Sequence, residues 1–123
     1  MIYGIGVDIV RVERMKTAHE KWGDTFFKKI LSDDEISYCF KKSDPYPSLA
    51  VRFAAKEAVI KAIGAEINVS LKDIEVTNND KGRPSVTVRG GLQDFFDKNS
   101  IKHTHLSLSH EKKYAVASVV LEM

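Results

Sequence analysis

Hydrophobic side chains follow two different periods along this chain, and each period predicts a kind of element. Residues 2 to 8 (IYGIGVD) are rich in β-branched residues and glycine, which predicts a first strand. An apolar stripe with spacings of three and four follows and predicts an amphipathic helix. This stripe consists of Val12, Met15, His19 and Trp22. Gly23 ends the helix, and residues 24 to 30 predict a short second one.

The middle of the chain carries helix start and stop signals. Ser32, with Glu35 three residues later, forms a capping box and predicts a helix to about Lys42. The proline-containing segment 43–48 then breaks the helical pattern. From residue 46 or 47 to residue 63 the pattern predicts the longest helix, with Gly64 as its C-terminal cap.

After Gly64 the pattern changes to the alternation typical of strands. Turn residues separate two strand pairs, and a short helix lies between the pairs. The strands are predicted at residues 71–79, 83–90, 103–110 and 114–123, and the helix at 91–100. We therefore expect one α+β domain over residues 1–123, with a first strand, several helices and then a mostly antiparallel sheet.

Composition limits the protein classes that remain. The net charge of +2 is too small to indicate a nucleic-acid partner by itself. The single cysteine, Cys39, excludes an internal disulfide, favours a reducing compartment and is expected to be a small buried hydrophobe. We find no signal-peptide pattern and no apolar run of the ~20 residues that span a bilayer, and we expect a cytoplasmic protein without a membrane partner.

Charged residues interrupt the longest predicted helix, although eleven of the fifteen residues from 49 to 63 are apolar or alanine. Glu57 and Lys61 stand one turn apart, and one interpretation is an exposed ion pair worth a few tenths of a kcal/mol. The alternative is a functional site, because ionisable groups on a buried helix are usually paired, metal-bound or catalytic. Arg52 and Lys56 add two cations, a mixture that suits a metal and phosphates.

Two further polar residues permit both a structural and a functional interpretation. Asp8, near the end of the first predicted strand, either caps the following helix or acts as a metal ligand together with Glu57. His110, at the end of LSLSH, is either structural or a hydrogen-bond donor to a phosphate. His103 and His105 point the same way, but no Cys or third His has the spacing of a zinc site.

Three segments together resemble the holo-acyl-carrier-protein synthases, the short bacterial type of 4′-phosphopantetheinyl transferase. They are GIGVDIV, RFAAKEAVIKAIG and LSLSHEKKYAVASVV, and the likeness extends to ILSDDE, DIEV and KGRP. The resemblance implies transfer of phosphopantetheine from coenzyme A to a serine of an apo acyl carrier protein, in support of fatty acid biosynthesis. The released product is adenosine 3′,5′-bisphosphate.

The resemblance also implies roles for individual residues. Asp8 and Glu57 match the family's ligands for Mg²⁺, with Mn²⁺ also possible, and Lys61 joins them as the third catalytic residue. The serine proton passes to a metal-bound water or to a carboxylate. The coenzyme A site would comprise Arg52, Lys56, Lys61, Gly64, Gly82, Arg83, Pro84 and His110.

The likeness has two departures. Where the family often has a Gly-Thr-Gly-like turn, residues 64–66 read Gly-Ala-Glu, which puts a phosphate contact from this turn in doubt. Glu111 stands after His110, where the family often has Thr or Ser.

Basic residues after the first strand are expected to bind the acidic carrier protein. Arg14 and Lys21 share a helix face, and Lys28 continues the spacing. A solvated charged face is the alternative. Short enzymes of the resembled family form homotrimers with active sites between subunits, and the final strand, apolar on both faces, is compatible with this.

Two other functions were considered. A small RNA-binding domain needs exposed aromatics on its strands, and the strands in the second half carry mainly aliphatic residues. A non-catalytic interaction module has no need of Asp8, Glu57, Lys61 and His110 together.

Overall fold

The computed structural model describes residues 1–64 and 67–123 and has the expected α+β architecture. Its first half consists of β1 (Ile2–Arg11), α1 (Val12–Trp22), α2 (Asp24–Ile30), α3 (Asp33–Phe40) and α4 (Tyr46–Ile63). Its second half contains a 3₁₀ turn (Leu71–Asp73), β2 (Ile74–Asn78), β3 (Pro84–Val88), α5 (Gly90–Lys98), β4 (His103–His110) and β5 (Tyr114–Glu122). The element order agrees with the one predicted from the hydrophobic pattern.

The strands form two antiparallel sheets rather than one. The order in the larger sheet is β1-β5-β4, so the first and last strands of the chain pair directly. The smaller sheet is the hairpin β2-β3. In the larger sheet Asp8 lies opposite Ala117, and Ala117 lies opposite Leu108, which places these three side chains on one face.

Helix α4 packs on that face of the sheet at very short range. Gly4 and Gly6 of β1 lie directly under α4, and a Cβ atom at either position would collide with the carbonyl oxygens of Ala62 and Ala58. This close approach explains both the glycines of the first strand and the alanines of the helix. Because side chains alternate along a strand, Asp8 points to the same helix-covered side as Gly6.

Three local expectations were confirmed. Ser32 and Glu35 form the reciprocal capping box at the start of α3. Gly64 caps α4 in the left-handed conformation, with φ 66°. Cys39 is fully buried, and burial raises the pKa of its thiol.

Three other expectations were wrong. The buried stripe of α1 is Val12, Met15 and Ala18, while Trp22 is 55% exposed. Helix α3 ends at Phe40, short of Lys42. Strand β1 runs three residues beyond Asp8, so Asp8 lies inside the strand and does not cap α1.

Within the described part of the chain, none of the helices combines the length and apolarity that a membrane span requires.

Candidate active site

The charged residues of α4 point in three different directions. Ala58 and Ala62 face β1, which fixes the orientation of the helix. At 3.6 residues per turn, Glu57 and Lys61 lie about 100° and 60° to one side of Ala58, and Arg52 lies about 120° to the other side. The single cluster suggested by the sequence is therefore divided between two flanks of the helix.

The first flank of α4 carries Glu57 and Lys61, and the second flank carries Arg52. On the first flank, Asp8 of β1 and Lys61 are in contact. Lys61 Nζ donates to Asp8 Oδ1 at 2.9 Å and to the main-chain oxygen of Val7 at 3.0 Å. The Asp8 side chain is largely covered, whereas 56% of the Lys61 side chain is exposed. The ion pair therefore stands at the surface, where a ligand can replace or join it.

Glu57 lies on the same flank, one turn before Lys61, and is half-buried. Lys61 pairs with Asp8 rather than with Glu57, so the predicted ion pair between Glu57 and Lys61 within the helix does not form. Mg²⁺ is commonly held by one or two carboxylates, with waters and substrate phosphates completing its shell. Asp8 and Glu57 are donors of this kind, and they fit a Mg²⁺ ion shared with a phosphate-bearing substrate.

Among residues 1–64 and 67–123, no group of three or more His, Cys, Asp or Glu side chains is arranged to hold a metal ion. His103 and His105 lie near each other on β4, but His105 pairs with Glu122 at 3.0 Å. The hydrogen bond from His105 lowers the pKa of Glu122.

Lys56 has a structural role, contrary to the expectation that it binds coenzyme A. Its side chain has no exposed surface. Its ammonium group donates to Glu35 Oε1 at 2.7 Å and to the main-chain oxygens of Ile30 and Leu71. All three donors are used inside the protein, and burial lowers the pKa of Lys56.

The second flank of α4 borders a cavity of about 370 Å³. Four of the residues predicted to bind coenzyme A line it. They are Arg52, Gly82, Pro84 and His110. The cavity lies between α4, the tip of the β2-β3 hairpin and β4, so residues distant in sequence meet there. Among the described lining residues there is no acidic side chain, while Arg52 and Lys42 are cationic, and the cavity therefore favours an anion.

Arg52 is 3% exposed and held by two hydrogen bonds. Its terminal nitrogens donate to Ser48 Oγ and Asn78 Oδ1. Its Nε atom is buried and has no hydrogen-bond partner among the described residues. A buried guanidinium with an unused donor at the wall of a cavity fits recognition of a phosphate.

Two further residues predicted to bind coenzyme A lie away from this cavity lining. Gly64 ends α4 on the surface, and Arg83 is exposed at the hairpin tip. The expectation for the turn at residues 64–66 concerns Ala65 and Glu66, which lie outside the described residues.

A groove of about 630 Å³ separates α1 and α2 from α4 on the first flank. Arg14 and Lys21 line it, beside the aromatic rings of Trp22, Phe26 and Phe53. Arg14 lies over the ring of Phe53 at 5.5 Å and Lys21 over that of Trp22 at 4.8 Å. The groove therefore combines positive charge with apolar surface.

Lys28 does not join Arg14 and Lys21. The chain changes direction at Gly23, whose φ is 65°, and Lys28 lines a different, smaller cavity with Phe27 and Phe40. The regular spacing of the three basic residues in sequence is therefore lost in the fold.

Several residues at these surfaces were not predicted from the sequence. Tyr38, Lys42, Ser48, Asn78 and Ser107 line the cavity, and Trp22, Phe26 and Phe53 line the groove. A usable signal existed for Trp22, since a large apolar residue in the last turn before a glycine is a poor core position. Asn78 and Tyr38 gave no signal, because only the packing of β2 and α3 on α4 brings them to Arg52.

Comparisons with known proteins agree with this geometry. The family model described as the 4′-phosphopantetheinyl transferase superfamily matches residues 4–119. The chain is 49% identical to the holo-[acyl-carrier-protein] synthase of Thermodesulfovibrio yellowstonii, covering 98% of this chain and 99% of that protein. It is 45% identical to the one from Halothermothrix orenii, covering 99% and 98%.

Solved structures show the same fold. The holo-[acyl-carrier-protein] synthase of Neisseria meningitidis superposes with a TM-score of 0.91 at 35% identity, over 100% of both chains. The Bacillus anthracis synthase, in complex with CoA (3′,5′-ADP), gives 0.78 at 39% identity and covers 98% and 96%. The Helicobacter pylori synthase, in complex with coenzyme A, gives 0.84 at 32% identity and covers 96% and 99%.

Proposed function

Because this chain belongs to the 4′-phosphopantetheinyl transferase superfamily, we propose that it is a holo-acyl-carrier-protein synthase. It would transfer 4′-phosphopantetheine from coenzyme A to a serine of an apo acyl carrier protein and release adenosine 3′,5′-bisphosphate. The product would serve fatty acid biosynthesis in the bacterial cytoplasm, where the free thiol of Cys39 is expected to stay reduced.

One observation carries this proposal. Phe53, Glu57 and Lys61 follow one another at intervals of four residues and therefore form a line along one flank of α4. Phe53 lines the basic and aromatic groove, and Lys61 contacts Asp8. A carrier protein docked in the groove would thus present its serine next to Asp8 and Glu57.

Asp8 and Glu57 would hold Mg²⁺, which would supply positive charge against the pyrophosphate of coenzyme A. Asp8 is already ionically paired with Lys61, which keeps its carboxylate directed at the site. When pyrophosphate enters, the exposed Lys61 ammonium is placed to stabilise the negative charge that builds on the leaving phosphate. Lys61 combines a positive charge with direct contact to Asp8.

The cationic cavity on the second flank would take the other end of coenzyme A. Arg52, with its planar guanidinium fixed by Ser48 and Asn78, would bind a peripheral phosphate, and His110 would orient it. Gly82 and Pro84 would contact the nucleotide at the hairpin tip. Lys56 is left out of this site because it is fully buried.

The positive groove would bind an acidic helix of the carrier protein. Arg14 and Lys21 supply charge, and the three aromatic rings supply apolar contact area, a combination found at protein interfaces. Salt is expected to slow this association because the two cations are at the surface.

We further propose a homotrimer with each active site shared by two subunits. The acids and the cavity stand on opposite flanks of α4, and a helix with its side chains is about 10–12 Å thick. In addition, the outer face of β1 exposes Ile5, Val7 and Ile9 at 71%, 57% and 63%. Aliphatic side chains this exposed in a row suit an interface with another copy of the chain. The acid flank of one subunit would then meet the cavity of its neighbour.

Incubation with coenzyme A, Mg²⁺ and an apo carrier protein, followed by intact mass measurement of the carrier, tests the activity. The carrier should gain one phosphopantetheine, and chelation should prevent the gain. Mn²⁺ should restore it, since Mn²⁺ also suits carboxylate and water ligands. If the carrier stays unmodified under all of these conditions, the proposed activity is wrong and the protein is better described as a non-catalytic interaction module.

A further inference from the structure

The ring of Tyr38 contacts two cations at the wall of the 370 Å³ cavity. The guanidinium carbon of Arg52 lies 4.3 Å from the ring centroid, and Lys42 Nζ lies 5.1 Å from it. Tyr38, Lys42 and Arg52 all line this cavity. Tyr38 lies in the last turn of α3 and Lys42 follows two residues beyond its end, so the end of this helix places the ammonium near the ring.

We propose that Tyr38 is a positioning residue that holds Arg52 and Lys42 together for a phosphate monoester of the substrate. This inference rests on the proposed function and assigns the monoester to the ribose 3′-phosphate of coenzyme A. Two like charges repel each other in the empty cavity. The face of an aromatic ring carries partial negative charge and attracts both cations, so the pair is in place before the anion arrives.

The surroundings of Arg52 make the ring contact important. Ser48 and Asn78 fix the two terminal nitrogens, and Tyr38 covers the guanidinium. The Nε atom has no partner among the described residues, so Arg52 keeps unused donor capacity. Lys42, by contrast, is exposed and follows the last turn of α3, and its ammonium lies over the ring of Tyr38. Without the ring, the flexible lysine side chain would spend most of its time in solvent.

The contribution of Tyr38 comes from its ring rather than its hydroxyl group. Both cations lie over the ring, Arg52 at 4.3 Å and Lys42 at 5.1 Å from its centroid. Tyr38→Phe should therefore behave like the unchanged protein, whereas Tyr38→Leu removes the attraction.

Calorimetric titration of the full-length protein separates these possibilities. The ligands are coenzyme A, coenzyme A lacking the 3′-phosphate, and adenosine 3′,5′-bisphosphate. Tyr38→Leu should weaken binding of the two 3′-phosphorylated ligands about tenfold, the size of a partly desolvated cation–π contact, and binding of coenzyme A lacking the 3′-phosphate less than about twofold. In turnover assays the KM for coenzyme A should rise while kcat changes little.

Two matched controls use neighbouring residues. Phe40→Leu removes a ring with the same 38% exposure from the same helix, away from this cavity, and should leave all three affinities unchanged. Lys42→Ala should repeat the selective loss, whereas Lys41→Ala should not. Combining Tyr38→Leu with Lys42→Ala should weaken binding less than the product of the two single effects.

Three results would overturn the inference. They are an unchanged affinity in Tyr38→Leu, an equal loss for ligands with and without the 3′-phosphate, and a Tyr38→Phe variant as weak as Tyr38→Leu. If the unchanged protein binds none of the three ligands, the proposed function itself is wrong. Because Lys42 is on the surface, its variant tests the inference even if a Tyr38 variant folds poorly.

Discussion

Lys56 and Lys61 lie five residues apart on the same helix and face opposite environments. Each forms an ion pair, Lys56 with Glu35 at 2.7 Å and Lys61 with Asp8 at 2.9 Å. The first pair is 0% and 1% exposed, while the Lys61 side chain is 56% exposed. One pair is sealed in the protein, and the other stands where a substrate can reach it.

The difference shows that an ion pair has to be judged by what else its atoms bind. Glu35 also accepts the main-chain N–H groups of Ser32 and Val76, and Lys56 also binds two carbonyl oxygens. This pair therefore connects α2, α3, α4, β2 and the 3₁₀ turn, with no capacity left for a ligand. In the Asp8–Lys61 pair, Lys61 also donates to the Val7 carbonyl oxygen, and its side chain remains open to solvent.

Removing the buried lysine should give the largest effect on stability. Lys56→Met leaves the Glu35 carboxylate uncompensated and should lower the free energy of unfolding by about 3–5 kcal/mol. Chemical denaturation monitored by circular dichroism measures this. Adding Glu35→Gln removes the stranded charge, keeps one acceptor oxygen, and should recover at least ~1 kcal/mol. A single variant as stable as the unchanged protein would mean that the buried pair is not needed.

Changes at the exposed Asp8–Lys61 site should affect activity strongly and stability little, unlike changes at the buried pair. Asp8→Asn and Glu57→Ala should each lower the transfer rate at least ~100-fold, the scale of losing one preorganised electrostatic group. The midpoint of thermal unfolding should change little in Asp8→Asn, because the partner of that side chain is a surface lysine. Near-normal turnover at limiting Mg²⁺ in either variant would remove the paired acids from the mechanism.

Charge reversal in the groove should weaken binding of the carrier protein and leave binding of coenzyme A unchanged. Arg14→Glu with Lys21→Glu should raise the KM for the carrier about tenfold at low salt and leave the affinity for coenzyme A unchanged. Lys28→Glu provides the control, because Lys28 lies outside the groove. Steady-state kinetics with varied carrier concentration gives the KM for the carrier in each variant and so distinguishes the groove from the surface at Lys28. Equal effects of all three reversals would indicate general attraction rather than docking in the groove.

Cys39 provides a probe of the intact fold that leaves both ion pairs unchanged. Burial raises the pKa of its thiol above 9.0, and the thiolate is the reactive form. The native protein should therefore react with iodoacetamide at least ~100-fold more slowly than the denatured chain. Between pH 9.0 and the raised pKa the unfolded chain binds fewer protons, so stability should fall as pH rises through that window. Rapid native labelling at pH 8 would contradict this burial.

The local features of this fold could be predicted from the sequence. The separation of the charged residues of α4 into a buried structural pair and two flanks could not. The capping box of Ser32, the cap at Gly64 and both hairpins depend on nearby residues, and the structure has all of them. Lys56 could not be assigned, because its partner Glu35 lies 21 residues away and gives no periodic signal. For the same reason Lys28 was grouped with Arg14 and Lys21, although Gly23 turns the chain between them.

Subunit mixing tests most directly whether the acid flank and the cavity belong to one shared site. Asp8→Asn and His110→Ala subunits, each expected to be strongly impaired, are unfolded together, refolded in equal amounts and assayed by carrier mass. Mixed rings contain sites that combine the intact acids of one subunit with the intact cavity of its neighbour. In a trimer roughly a quarter of all sites are then intact, so roughly a quarter of the unchanged activity should return. Activity no higher than the average of the two variants alone would contradict a site shared between subunits.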